Sequence, residues 1–137
     1  MSVVVDSSVV VAALVDTGAN GKWAEEIIAH SPLYGPELIR VEVSNVLRRL
    51  EQARQITAPE ANAAYVDFMQ LQIELYAFDP FSDRIWELRH NVTSYDAWYV
   101  AVAEALGLPL ATLDERLAGA KGPKCRFIAR GLRPQDP

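Results

Sequence analysis

Short apolar segments alternate with longer helix-like segments along this chain. Such alternation predicts a parallel sheet with helices on both faces, because each crossover between parallel strands needs a connection long enough for a helix. The first predicted strand, residues 2–5, ends at Asp6 and precedes an apolar helix at residues 7–15. Further strands are predicted at residues 33–34, 74–78, 110–113 and 127–129. We therefore expect an α/β fold of three layers, with a small, mostly parallel sheet covered by helices.

The intervening segments carry helix start and stop signals. Thr57 and Glu60 have the spacing of a capping box at the start of one helix. Thr93 or Ser94 is the expected cap of another, which Gly107 would end. The predicted helices are residues 21–30, 36–55, 58–73, 80–90, 94–106 and 114–118.

Length and composition indicate one globular domain, residues 1–137. The chain has 137 residues, of which 50% are hydrophobic and 23% charged, enough to bury a substantial core. A single cysteine, Cys125, excludes an internal disulfide bond. No stretch reaches the roughly 20 apolar residues of a membrane helix. We expect a cytoplasmic protein without a membrane segment.

Charge is distributed unevenly. The net charge of −5 argues against general nucleic-acid binding. Residues 1–115 carry 17 acidic and 7 basic residues, whereas residues 116–135 carry 6 basic residues and no acid. This basic segment could contact phosphates, or it could be a solvated tail.

Four acids stand at positions that an α/β fold brings together. Asp6 and Asp114 each follow a predicted strand, and Asp96 lies in the first turn of a predicted helix. The carboxyl ends of parallel strands form the usual ligand crevice of such sheets. The fourth acid, Glu42, lies on a helix at the edge of its apolar face.

Each acid also has a structural interpretation. Asp6 and Asp114 could be helix N-caps, and Asp96 could favour its helix dipole. Glu42 could form an internal ion pair with Arg49 or another arginine. Taken together, the four positions favour a shared site.

A shared site of four carboxylates calls for a cation. Two carboxylates ~4 Å apart repel by on the order of 4 kcal/mol at an effective dielectric of 20. Hard cations such as Mg²⁺ or Mn²⁺ relieve that repulsion. The pattern therefore predicts a metal-dependent phosphodiesterase site.

Other sites are less well supported. Ser7 and Ser8 have no histidine placed for acyl transfer, and His30 and His90 stand alone. The large aromatic residues are expected in the core or an interface rather than as platforms for base stacking: Trp23, Trp86, Trp98 and Tyr99.

Three ordered motifs resemble the PIN-domain family, and most closely its VapC-type ribonuclease toxins. They are VVVDSSVVVAAL, YGPELIRVEVSNVLRRL and SYDAWYVAVAEALGLPLATLDERL. The resemblance implies a Mg²⁺- or Mn²⁺-dependent endoribonuclease that is paired with an antitoxin and is typically a homodimer. The family's acids match Asp6, Glu42, Asp96 and Asp114, and its supporting residues match Ser7, Asn45 and Thr112.

The resemblance also suggests roles. Asp6 and Asp96 would bind the metal directly, while Glu42 and Asp114 would do so directly or through water. Arg49 and Arg116 are candidates for contacts with the RNA backbone. Two alternatives remain: a non-catalytic module that binds RNA or protein, and a phosphoryl-transfer domain with an aspartate nucleophile.

Overall fold

A computed structural model describes residues 1–131 of the chain. Its strands form one sheet in the order β3-β2-β1-β4-β5, and every neighbouring pair is parallel. The predicted α/β class is confirmed, and the described sheet is wholly rather than mostly parallel. The strands are β1 Val3–Val5, β2 Leu33–Pro36, β3 Ile73–Tyr76, β4 Leu110–Thr112 and β5 Phe127–Ala129.

Helices fill the connections between the strands, as the alternating pattern predicts. None of the helices that the structure describes is long and apolar enough to span a membrane. A short 3₁₀ turn at Asp79–Phe81 precedes the fifth helix. The helices are α1 Ser7–Val15, α2 Ala19–His30, α3 Leu38–Gln52, α4 Ala58–Gln70, α5 Ser82–Glu87, α6 Ser94–Leu106 and α7 Glu115–Ala118.

Strand β1 occupies the centre of the sheet. Its three valines are at most 2% exposed and pair with β2 on one side and β4 on the other. Full burial of one such side chain stabilises the fold by about 1.5–3 kcal/mol. This central placement fixes where the chain leaves the sheet, and so fixes the position of Asp6.

Helix α6 packs against β1 and β2. Ala97 and Ala101, at i and i+4 on one face, are buried, and their small side chains allow a close approach to the sheet. Gly107 ends the helix in the left-handed conformation, with φ of 66°. The N-terminal turn of α6, which carries Asp96, is thereby held near the end of the central strand.

Several predicted boundaries were wrong because pairing in the sheet overrides local helix signals. Pro36 pairs with Tyr76 in β2–β3, so α3 begins at Leu38 rather than at the proline. Ile73 joins β3, which ends α4 at Gln70.

Two further boundaries differ from prediction for reasons of local geometry. Arg54, with φ of 59°, departs from helical geometry soon after α3 ends. The helix predicted at residues 80–90 is instead a 3₁₀ turn followed by the six-residue α5.

Candidate active site

Asp6 lies at the carboxyl end of β1 and caps α1. Its Oδ1 accepts a 3.2 Å hydrogen bond from the backbone N–H of Val9, so the predicted N-cap role is real. The residue is only 7% exposed. A cap on the surface needs no such burial, which indicates that the carboxylate has further partners.

Those partners are two hydroxyl groups, one for each carboxylate oxygen. Ser8 donates to Oδ1 of Asp6 at 2.5 Å, and Thr112 donates to Oδ2. Each hydroxyl in turn accepts a backbone N–H from the segment after β4: Leu113 donates to Ser8 at 3.1 Å, and Asp114 donates to Thr112 at 2.9 Å. This double relay ties the ends of β1 and β4 together and fixes the orientation of the Asp6 carboxylate.

Burial makes the charged form of Asp6 costly. Desolvation raises its pKa from 3.8 to about 6, although the hydrogen bonds from Ser8, Thr112 and Val9 oppose the shift. The nearby charge of Asp96 raises the pKa further. A strongly perturbed acid beside a second acid is typical of functional sites.

Glu42 is held by a tyrosine rather than by an arginine. The hydroxyl of Tyr99 donates to Oε1 of Glu42 at 2.5 Å. Glu42 forms no ion pair within residues 1–131, so the internal pair with Arg49 or another arginine does not form there. Burial raises the pKa of Glu42, the Tyr99 hydrogen bond opposes the shift, and the charge of Asp96 adds to it.

Tyr99 is a buried member of this site. Its side chain is 1% exposed, which confirms the expected core position. Burial raises the pKa of its phenol, and the charge and hydrogen bond of Glu42 raise it further. Contact with the Ser7 hydroxyl opposes the shift, while the charge of Asp6 adds to it. The phenol is therefore a hydrogen-bond donor at neutral pH.

Asp96 lies in the first turn of α6, which Thr93 caps. Its pKa is raised by burial and then by the charge of Asp114. Thr93 and the cation Arg116 oppose the shift. The favourable helix position of Asp96 is thus accompanied by repulsion from a neighbouring carboxylate.

Asp114 is the N-cap of the short helix α7. Its Oδ1 accepts backbone hydrogen bonds from Arg116 at 3.0 Å and Leu117 at 3.2 Å. Its own N–H donates to Thr112, so it also belongs to the relay around Asp6.

Asp96 links the four predicted acids electrostatically. Its charge acts on Asp6 and on Glu42, and it is itself affected by Asp114. A cleft of about 370 Å³ is lined by Asp96 and Asp114, whereas Asp6 and Glu42 are not among its lining residues.

The oxygen donors suit a hard cation, but they do not form a complete cage. No three His, Cys, Asp or Glu side chains in the described part of the chain lie close enough together to hold a metal ion. Mg²⁺ needs no such cage, because it usually keeps several waters and binds only one or two protein carboxylates. The site therefore fits Mg²⁺ or Mn²⁺ through one or two direct ligands.

The supporting residues occupy different positions around the acids. Thr112 bonds directly to Asp6, and Ser7 contacts Tyr99. Asn45 is exposed on α3, and its side-chain oxygen accepts a 3.1 Å hydrogen bond from Arg48. Arg49 is exposed on the same helix, and Arg116 lines the cleft.

Sequence reasoning missed two residues of the site. The sequence offers Ser8 only as a possible helix cap or an unsupported nucleophile, and Tyr99 only as a core or interface residue. A signal for Tyr99 existed, because it lies three residues after Asp96 and therefore on a neighbouring position of the same helix. Nothing in the local sequence identified Glu42 as its partner, 57 residues away.

Comparisons with known proteins agree with this architecture. A family model described as "PIN domain" matches residues 3–123. The chain is 41% identical over 125 residues to "Ribonuclease VapC1" of Mycobacterium tuberculosis, which covers 90% of this chain and 94% of that protein.

Two solved structures are similar in fold. One is "VapC20 (Rv2549c), Sarcin-Ricin loop cleaving toxin" of M. tuberculosis, with a TM-score of 0.60, 20% identity and coverage of 80% of this chain and 87% of that one. The other is "VapBC2 from Rickettsia felis bound to a DNA fragment from their promoter", with a TM-score of 0.64, 13% identity and coverage of 94% and 98%. The family match, the 41% identity and the fold agree: the chain belongs to the PIN-domain family, among its VapC ribonucleases.

Proposed function

We propose that this protein is a toxin of a toxin–antitoxin pair, an endoribonuclease that hydrolyses RNA phosphodiester bonds with Mg²⁺ or Mn²⁺. The observation that supports this best is the position of Asp96, whose charge interacts with those of Asp6, Glu42 and Asp114. Mutual repulsion of this kind raises the pKa of acids and favours a divalent cation among them.

Asp6 and Asp96 are the proposed direct ligands, and Glu42 and Asp114 bind directly or through water. When bound, the cation supplies an activated water and a positive charge for the phosphoryl oxygens. Asp6 presents a carboxylate that is already oriented, because Ser8 and Thr112 hold its two oxygens. The hydroxyl of Tyr99 likewise orients the carboxylate of Glu42 by donating to its Oε1.

Arg116 is the proposed contact for the RNA backbone. It lines the cleft beside Asp96 and Asp114, where a phosphate group of RNA would approach the acids. Phosphate contacts of this kind orient a substrate without reading its sequence. Arg49 stands on α3, is not among the residues that line this cleft, and is the weaker candidate for the same role.

The partners are proposed from the relatives. One similar structure is named a toxin that cleaves the sarcin–ricin loop, and another is a VapBC2 complex. By analogy, this chain acts on RNA and is neutralised by a cognate antitoxin. The resemblance to the family adds the proposals of a homodimer and a cytoplasmic location.

The geometry argues against Asp6 as a phosphoryl-accepting nucleophile. Both of its carboxylate oxygens accept hydrogen bonds, from Ser8 and Val9 on one side and Thr112 on the other, and the residue is 7% exposed. Oδ2 accepts only one of these bonds and keeps a lone pair for a cation, whereas in-line attack on phosphorus needs an oxygen that is open to the substrate phosphate. The hydroxyl relay instead suits a fixed ligand.

Growth of a bacterial host tests the toxin function. Expression of the wild-type chain without an antitoxin is expected to arrest growth, whereas Asp96→Asn is expected to permit growth at equal protein level. The antitoxin partner is tested by co-expressing the gene adjacent to this one, which should restore growth. Growth unaffected by well-expressed wild-type protein contradicts the proposal.

A further inference from the structure

The cleft beside the acids has a basic side that forms no close ion pair within the part of the chain that the structure describes. Arg89, His90 and Arg116 line it together with Asp96 and Asp114. Within residues 1–131, the only ion pairs join Arg84 to glutamates, so neither Arg89 nor Arg116 has one. In a chain with a net charge of −5, unpaired arginines beside an acidic centre suit an anionic ligand that spans both.

An exposed aromatic residue adjoins this basic side. Trp86 on α5 is 66% exposed, which excludes the core but not the interface alternative expected for it. The guanidinium carbon of Arg89 lies 4.4 Å from the centroid of the Trp86 ring, and Nη1 of Arg89 donates to the Trp86 carbonyl at 2.8 Å. Arg89 thus stacks on one face of the indole and connects the ring to the cleft, so a ligand would stack on the opposite face of the exposed ring.

The stacked Trp86–Arg89 pair, the platform of this surface, is held in place by its neighbours. Leu88, between the two residues, is 2% exposed and anchors the segment in the core. The Asn91 amide donates to the carbonyl of Lys121 at 2.7 Å, and Arg84 donates to Glu104 at 2.7 Å. A platform that is ordered before binding loses little conformational entropy when a ligand arrives.

We propose that Trp86 and Arg89 form a subsite for one nucleotide of single-stranded RNA, next to the acid cluster. The base stacks on the indole face opposite Arg89, and the phosphate lies between Arg89 and Arg116. Base–aromatic stacking together with cationic groove residues is the usual way proteins hold single strands. The inference rests on the proposed ribonuclease function. It adds that the bound RNA is single-stranded and that it passes over Trp86 and Arg89 to the acids.

Binding of labelled RNA oligonucleotides tests the subsite without requiring cleavage. Fluorescence anisotropy is measured with Mg²⁺ in an Asp6→Asn background, using a single-stranded RNA of mixed sequence and its duplex. We expect Trp86→Ala to raise Kd for the single strand on the order of tenfold, and Trp86→Phe to retain most of the affinity. Arg89→Ala should also lower the slope of log Kd against log salt concentration by ~0.7.

Matched controls lie on α3 and α4, away from the cleft. Arg40 is an exposed arginine, and Tyr65 is an aromatic residue that is 45% exposed. Arg40→Ala and Tyr65→Ala should bind as the parent protein does. Circular dichroism melts confirm that each variant folds.

Three results would contradict the proposed subsite. They are an unchanged single-strand Kd for Trp86→Ala, an equal loss for Tyr65→Ala, and an equal effect of Trp86→Ala on duplex binding. Altered oligomeric state with unchanged RNA binding would assign Trp86 to a protein interface instead. Cleavage of bacterial total RNA by the wild type is measured in parallel to separate the two proposals. If the wild type cleaves RNA but Trp86→Ala leaves the single-strand Kd unchanged, the subsite is contradicted and the proposed ribonuclease function stands.

Discussion

The hydroxyl of Tyr99 on α6 donates a 2.5 Å hydrogen bond to Oε1 of Glu42 on α3. The two residues are 57 positions apart in sequence, and the tyrosine is 1% exposed. The bond joins helices from two different crossovers of the sheet and holds a half-buried carboxylate near Asp96. The position of Glu42 therefore depends on a residue that is not itself an acid.

Removing that hydroxyl should affect both stability and metal binding. Tyr99→Phe leaves a half-buried carboxylate without its donor, which costs on the order of 1–3 kcal/mol of unfolding free energy. We also expect weaker Mg²⁺ binding, because Glu42 is no longer oriented. Urea denaturation and a Mg²⁺ titration measure the two effects. Tyr95→Phe on the same helix is the matched control, since Tyr95 is 64% exposed and should change neither.

Thr112 should be more sensitive to loss of its hydroxyl than to loss of its methyl group. The residue is 0% exposed and both donates to Asp6 and accepts from the N–H of Asp114. Thr112→Val leaves two buried polar groups unpaired and should lower the unfolding free energy by about 2 kcal/mol or more. Thr112→Ser should lose less than half as much in the same denaturation experiment. Equal losses for the two variants would contradict the relay.

Stability of the metal-free protein should fall as pH rises through the range in which Asp6 ionises. Burial raises the pKa of Asp6 from 3.8 to about 6, so the folded state binds the proton more tightly than the unfolded state. The stabilising contribution is complete below pH 3.8 and is lost as pH rises through about 6.

Glu42 and Asp96 have raised pKa values and act in the same direction. Thermal melts in EDTA measure the decline, and Asp6→Asn should reduce it. A melting temperature that rises from pH 4 to pH 6 by the same amount in both proteins would contradict the burial cost.

Divalent metal should reverse this destabilisation. A ligand that binds only the folded state at 100 times its Kd stabilises by ~2.7 kcal/mol. We expect Mg²⁺ or Mn²⁺ to raise the melting temperature at pH 7, and Asp6→Asn to reduce that rise. Asp67→Asn, an exposed acid on α4, is the control. No response of the wild type to either metal would remove the proposed site.

Much of the fold follows from local patterns in the sequence. Helices α1 and α6 begin and end where their caps and stop signals predict, and Thr57 and Glu60 form the predicted capping box. The alternation of apolar strands and helices correctly gives the parallel sheet. The strand order is not encoded locally, which is why Pro36 and Ile73 were assigned to helices although both join strands.

The sequence likewise predicts some residues of the candidate site and not others. Asp6, Asp96 and Asp114 occupy positions that sequence can recognise, after a strand or in a first helical turn, and Glu42 stands out at the edge of the apolar face of its helix. The charge of Asp96 acts on Asp6 and is affected by Asp114. Contacts across the fold are not recognisable in this way. Ser8 and Tyr99 find their partners through tertiary packing, and Trp86 is exposed because α5 is only six residues long and buries Ile85 alone.

Metal-dependent RNA cleavage by purified protein tests the central claim most directly. Wild-type protein should cut RNA in Mg²⁺ or Mn²⁺, lose activity in EDTA, and regain it when excess metal is restored. Asp96→Ala should keep the circular dichroism spectrum of the wild type and lose cleavage. Asp83→Ala, an exposed acid in the first turn of α5, should cut at the wild-type rate. Cleavage that persists in EDTA, or folded Asp96→Ala that cuts as fast as the wild type, would contradict the account.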